Sequence, residues 1–334
     1  MKKIVKILEI VIIAVALLVP SYFVFCAVTA PKIDPHHIYN SIDLASYLYD
    51  DEGVVIDRVF HDEDRAIVKY EDIPEELINA FVAVEDKTFW KHHGLNITRI
   101  IGAILESITG DDEISGTSTI TQQLARNVYL PKIKSERSLK RKMIEIYYAL
   151  EIERTMTKEE IMEAYLNTIF LGYGNYGIGS AAEVYFSKQP EELGITESAA
   201  LAALPQAPTT YALLTDNKDS GGKEVADGVF TNDASKDRRK LVLKLEKEQG
   251  YITDKQYEYA VEQELEDFIK PDIERYNSNT SYFTDYVVAS LEKDLQEELN
   301  ISESEAANMI YCGGLDIYYA RLYSAEYNQQ GIQG

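Results

Sequence analysis

"RSLKRKMIEIYYALEIER", residues 137–154, is the stretch that decides the fold class. Arg137, Arg141 and Glu145 recur every four residues, so they lie along one stripe of a helix. Lys142 flanks Glu145 three residues earlier. A ladder of ion pairs on a solvated face is the common use of such spacing. Two features argue for more. The positive charges exceed the local acids, and the stripe runs on toward Ala149 and Ile152, which are not surface types. An Arg/Lys cluster around one glutamate suits a phosphate leaving group beside an acid or charge-stabilising residue.

Helical periodicity extends in both directions from this stripe. "IPEELINAFVAVED" has Pro74 at its first turn and apolar residues at 77, 78, 81, 82 and 84. "STITQQLARNVYL", "KEEIMEAYLNTIFL", "GIGSAAEVYF", "ESAALAALPQAP" and "SKDRRKLVLKLEKEQGYIT" follow, broken by Gly, Asn and Pro. No βαβ alternation and no internal repeat occurs. The chain therefore reads as mainly α. The exception is "YLYDDEGVVIDRVF", which predicts strand, acidic turn, strand in a small membrane-proximal segment. The loop at 109–116 and the polar, Gly-rich insertion at 215–235 read as exposed. "YFTDYVVASLEKDLQEEL" predicts a helix in the acidic, tyrosine-rich end of the chain.

The bulk numbers exclude some classes. The chain has 334 residues, 46% of them apolar, enough for a substantial core. Its formal charge of −23 argues against nucleic-acid binding. Yet residues 126–142 hold seven basic residues against one acid. That local reversal of sign points to an anionic ligand. Two cysteines, Cys26 and Cys312, make no disulfide framework.

The N-terminus reads as a membrane anchor. Lys2, Lys3 and Lys6 precede an uncharged run from Ile10 to Ala30, 21 residues long. Such a helix spans about 30 Å, the thickness of a bilayer's hydrocarbon core. The run is longer than the apolar core of a cleaved signal peptide. The lysines place residues 1–9 in the cytoplasm and the rest of the chain outside.

Two further stretches carry candidate chemistry. "AFVAVEDKTFWKHHGLN", residues 80–96, puts Glu85 and Asp86 at the end of an apolar helix. A partly desolvated carboxylate there makes a better general base near neutral pH. His92 and His93 lack a third ligand at metal spacing, which argues against a metal site. "GTSTITQQLARN", residues 116–127, predicts a helix capped by Ser118 or Thr119. Thr119 and Gln122 fit a capping box, and Gln122 and Arg126 share a face. A capped helix start of this kind suits anions and hydroxyl-rich ligands.

Together these pieces resemble the glycosyltransferase family 51 domain of class A penicillin-binding proteins and monofunctional peptidoglycan transglycosylases. Five motifs stand in the family's order: "EDKTFWKHHG" at 85–94, "GTSTITQQLARN", "RSLKRKMIE" ending at Glu145, the stretch 158–188, and "ESAALAALPQAP" at 197–208. The resemblance covers roughly residues 45–270. It implies a lysozyme-like, mainly helical domain over 31–270, outside the membrane, after the transmembrane helix at 10–30. It also implies polymerisation of lipid II into β-1,4 glycan strands with release of undecaprenyl diphosphate. By resemblance Glu85 is the general base and Glu145 the second catalytic carboxylate. Arg126, Arg137, Arg141 and Lys142 would hold pyrophosphate. Ser118, Thr119, Gln122, Gln123 and Asn127 would shape the donor site, and Asp86, Phe89 and His92 the acceptor side. No cofactor is required; a divalent cation such as Mg2+ at Glu145 is the one candidate metal. The implied partners are lipid II, the growing glycan chain, the bacterial membrane and other cell-wall synthesis proteins.

The chain departs from the family pattern at three places. Arg126 stands where lysine is usual, Ser187 replaces a usual glycine, and a polar insertion follows "APTTY". Residues 271–334 read as a linker resembling the start of a truncated transpeptidase region. A transpeptidase needs S-x-N and K-T-G, and neither occurs. Two other readings share the fold: a non-catalytic lipid II-binding or scaffold protein, and a lysozyme-like hydrolase. The basic stripe has no use for a neutral glycan leaving group, which counts against the hydrolase.

Overall fold

A computed structural model describes residues 2–42, 44, 46–50, 52–59, 65–102, 118–134, 136, 138–214, 233–271, 282–313, 315–318 and 332–333. Arg137, the loop at 109–116 and most of the 215–235 insertion lie outside the described residues. In chain order the principal elements are α1 (Lys2–Thr29), β1 (Ser46–Tyr49), β2 (Val55–Val59), α2 (Glu75–Glu85), α3 (Ile120–Tyr129) and α4 (Leu139–Thr155). They continue as α5 (Lys158–Thr168), α6 (Ile178–Phe186), α7 (Ile195–Ala203), α8 (Asp233–Glu248), α9 (Asp254–Glu262), α10 (Tyr282–Leu299) and α11 (Glu303–Cys312). Short strands β3 (Asp316–Tyr318) and β4 (Ile332–Gln333) follow. The mainly helical class is as expected. Two units result, one of Met1–Ile38 with Thr88–Ile161, the other of Tyr39–Lys87 with Met162–Gly334.

In the first unit α1 is one helix of 28 residues that continues through Pro20. Among the described residues no helix is long and apolar enough to cross a membrane. The side chains of Ile10, Val11, Ile12 and Val15, within the uncharged run, lie outside those described. α1 packs against α4, and the Tyr148 hydroxyl donates to the Pro31 carbonyl at 3.0 Å. α3 packs on α4 through Ile120, Leu124, Ala125 and Val128, all buried, a stripe at helical spacing. Ser138 caps α4, accepting from the Arg141 N–H at 3.1 Å. α4 then turns Ile144, Glu145, Tyr148, Ala149 and Ile152 inward.

The second unit is centred on α2. Its Leu77, Ile78, Ala80, Phe81, Val82 and Ala83 are buried, and α7 and α8 pack against it. Pro74 takes the N-cap of α2 rather than its first turn, so its missing N–H costs the helix no bond. α7 buries every residue from Thr196 to Ala203. Its small side chains allow close approach on several faces. Phe81 meets Tyr165 of α5 edge to face, centroids 6.1 Å apart. Two glycines let the chain pass close to itself. Gly177 has φ +85° and a Cβ there would fall 2.6 Å from the Asn167 carbonyl oxygen; at Gly179 it would fall 2.5 Å from that of Ala66.

The same unit holds a second core. The expected hairpin exists, with β1 and β2 antiparallel around Gly53 at φ +82°. The sheet has four strands in the order β2-β1-β3-β4, with β1 and β3 parallel. Leu48 and Val59 of the hairpin join Val287, Val288, Leu291 and Leu295 of α10, Ala306 and Ile310 of α11, and Leu315 and Ile317 in one buried cluster. The Leu315 N–H donates to Ser46 Oγ at 2.8 Å across the two segments. Sequence reading treated the hairpin and the chain's end as separate stretches, whereas the sheet joins them. The helix expected at 282–299 is present as α10.

Candidate active site

The second unit supplies Glu85 and Asp86. Glu85 is the last residue of α2 and is half-buried. Asp86 is the C-cap, 1% exposed, and its N–H donates to the Val82 carbonyl at 3.1 Å. The helix brings its apolar face to within one residue of this carboxylate pair, as the sequence implies. The Gln249 side chain reaches back from beyond α8, and its Nε2 donates to the Ala83 carbonyl at 2.9 Å. Ala83 O is one of the end acceptors that the helix itself cannot satisfy.

The first unit holds the other expected residues. Phe89 is fully buried, with Trp90 and His92 edge-on to it at 4.9 and 6.3 Å. The Lys158 ammonium lies 4.4 Å from the centre of the Phe89 ring. The Gly94 N–H donates to His92 Nδ1 at 3.1 Å, so that nitrogen is an acceptor and Nε2 carries the proton in the neutral ring. Gly94 has φ +85°, and a Cβ would meet the Ala149 carbonyl oxygen at 3.1 Å.

The capping box forms as predicted. Thr119 Oγ1 accepts from the Gln122 N–H at 3.2 Å, and the Thr119 N–H donates to Gln122 Oε1 at 3.0 Å. The Thr119 hydroxyl also donates to the Gly94 carbonyl at 2.7 Å. This cap therefore joins α3 to the segment after Phe89. Gln122 is held inside this cap. It is 1% exposed, its carbonyl oxygen closes the box, and its Nε2 is buried with no hydrogen-bond partner among the described residues. Gln123 is also buried, while Arg126 and Asn127 at the last turn are half-exposed.

Glu145 is fully buried on α4. Arg141 Nη1 pairs with Glu145 Oε2, and Lys142 Nζ with Glu145 Oε1. Lys142 Nζ also donates to Ser118 Oγ at 3.0 Å, just before the capped start of α3. Arg141 Nε donates to the Glu136 carbonyl at 2.6 Å. The stripe read at four-residue spacing is real, and Ser118 and Lys142 extend it sideways. Arg137, its expected first member, lies outside the described residues. A buried carboxylate with both oxygens paired to cations is held rigid. It fixes Arg141 and Lys142, and Lys142 reaches Ser118 just before the capped start of α3.

That geometry bears on a metal. Both Glu145 oxygens already face cations, which is a poor donor set for a divalent ion. Among the described residues no group of three or more His, Cys, Asp or Glu gathers in a way that could hold one. Two contributors were not anticipated. Glu153, 5% exposed on its side chain, pairs with Lys158 at 2.6 Å and accepts from the Thr121 hydroxyl at 2.6 Å. It stands two steps of four beyond Glu145, so the same spacing could have found it. Gln249 carried no local signal.

The transglycosylase family model matches residues 52–245. Among curated relatives, penicillin-binding protein 1A of Clostridium perfringens strain 13 is 36% identical over 311 residues, covering 91% of this chain and 44% of the relative. Penicillin-binding protein 1A of Clostridium tetani is 36% identical over 298 residues, covering 86% and 36%. The protein of the same name from Aquifex aeolicus is 42% identical over 221 residues, covering 66% and 28%. The chain thus spans less than half the length of these relatives. The crystal structure of penicillin-binding protein 1A from Haemophilus influenzae aligns with TM-score 0.38 and 21% identity, over 83% of this chain and 26% of that one. So distant a likeness adds nothing to the description of the fold.

Proposed function

The chain belongs to the transglycosylase family, and from that premise we propose that it is a peptidoglycan glycosyltransferase, polymerising lipid II in cell-wall synthesis. Glu85 takes the proton from the acceptor sugar's 4-hydroxyl. That oxygen bonds to the anomeric carbon of the growing chain while the bond from that carbon to the lipid diphosphate breaks. The outcome is an inverted, β-1,4 linkage, and undecaprenyl diphosphate leaves with the bonding electrons. Proton transfer of this kind contributes about 100- to 10,000-fold.

The observation that carries the reading is the buried Glu145 clamped by Arg141 and Lys142. Charge built so firmly beside a capped helix start suits a diphosphate, and it has no counterpart in the chemistry of a neutral leaving group. Glu145 acts by holding the two cations where the leaving group's charge develops. Arg126 is a further donor to the substrate, and Gln122 shapes the donor site through the cap it closes. Arg137 joins the diphosphate cluster, and Gln123 and Asn127 line the donor side. Asp86, Phe89 and His92 order the acceptor side. The reaction so drawn passes through protein groups alone, without a divalent ion. The domain is lysozyme-like in this proposal, with α1 as a single-pass anchor, the N-terminus cytoplasmic and the catalytic part outside.

The test is polymerisation of lipid II by purified protein. Polymer from the wild type supports the reading. Tight binding of lipid II without polymer points instead to a scaffold, and cleavage of preformed glycan points to a hydrolase.

A further inference from the structure

The end of α8 contains a residue out of keeping with its place. The helix closes in a left-handed turn at Gly250, φ +80°. The Tyr251 N–H donates to the Glu246 carbonyl at 2.9 Å and the Gly250 N–H to the Lys247 carbonyl at 3.0 Å. A turn closed in this way usually packs an apolar side chain at position 246 against the residue at 251. Here position 246 is a glutamate. It is fully buried, and neither carboxyl oxygen has a hydrogen-bond partner among the described residues.

Among the described residues no cation pairs with Glu246. α2 faces it with Glu76, whose charge opposes ionisation. On α7 the carboxylate of Glu197 is taken by Lys188 at 2.6 Å. Lys247, next along α8, is engaged by Asp254 of α9 at 2.8 Å and by the Tyr257 ring. Lys255, Glu258 and Glu262 of α9 are exposed. Burial first, and Glu76 second, push the Glu246 carboxyl up to about 8 from an ordinary 4.5. Three residues on, Gln249 holds the Ala83 carbonyl in the last turn of α2, two residues before Glu85.

We propose that Glu246 is a positioning residue for Glu85: as a neutral acid it seats the end of α8 against α2, and its ionisation loosens the turn that presents Glu85. The assignment of Glu85 as base rests on the reading above; the seating of α2 does not. The sign follows from linkage. The folded carboxyl keeps its proton where the unfolded one has lost it. Stability therefore falls as pH rises between about 4.5 and about 8, and levels off beyond.

The experiment compares the full chain in detergent with Glu246→Met and Glu246→Gln from pH 5 to 9. It measures thermal midpoints and hydrogen exchange over residues 80–87, corrected for the intrinsic pH dependence. In the wild type the midpoint should fall relative to both variants up to pH 8, then run parallel. Its protection over 80–87 should drop about tenfold relative to the variants between pH 6 and 7 and level off above pH 8. Wild-type polymerisation should decline as pH rises through about 8 while that of the variants holds. Midpoint and exchange curves parallel to those of the variants over the whole range would overturn the proposal. Should Glu246→Met fail to fold, Glu246→Gln carries the comparison. The exchange result is read without turnover, so it stands apart from any failure of the function proposed for Glu85.

Discussion

At the scale of single residues, charge geometry separates the basic side chains. Arg141 and Lys142 are tied to Glu145. Arg126 makes no ion pair among the described residues and sits half-exposed on the last turn of α3. A substrate phosphate should therefore feel Arg126 as a single added charge. Arg126→Lys keeps that charge and should retain turnover within a few-fold. Arg126→Ala should lose about 10- to 100-fold in kcat/KM, the worth of one charge-assisted contact. Steady-state kinetics on lipid II separate the two. Ser187 makes a second residue-scale case. It stands at φ +52°, in the left-handed region, as the C-cap of α6. A β-branched residue is badly strained there. Ser187→Val should lower stability by about 1–2 kcal/mol, and Ser187→Gly should not, as read by denaturant melts.

At the scale of elements, the site depends on how helices begin and end. Thr119 closes the start of α3 and holds the Gly94 carbonyl, so one side chain fixes two segments. Thr119→Ala should cost about 1–2 kcal/mol through the lost cap alone. Thr119→Ser, which keeps the hydroxyl, should recover most of it; thermal melts of both decide. This part of the site was legible in the sequence, because a capping box is written in residues three apart and needs no tertiary partner. The stripe from Arg141 to Glu145 was legible for the same reason. The brace from Gln249 to Ala83 was not, since it joins residues 166 apart. The cap closed by Gln122 was legible too, but that its amide is buried depends on packing.

At the scale of the whole molecule, the sequence order and the packing order differ. The helical class and the hairpin follow from periods of 3.6 and 2, which are local. The parallel pairing of β1 with β3 joins residues 269 apart, as the Ser46–Leu315 bond shows. No short pattern announces such a contact. The cluster around Leu48 makes a clear demand. Leu48 is fully buried, and Leu48→Ala should cost about 2–5 kcal/mol. The loss should appear as raised exchange in α10 and α11, while α3 and α4 keep their protection.

The function proposed for the molecule turns on one carboxylate. The most direct measurement is a lipid II polymerisation assay on the wild type beside Glu85→Gln, under the same detergent and with folding checked by circular dichroism. The account predicts glycan polymer from the wild type and a loss of about 100-fold or more in the variant. Equal polymer from a folded Glu85→Gln protein would contradict it.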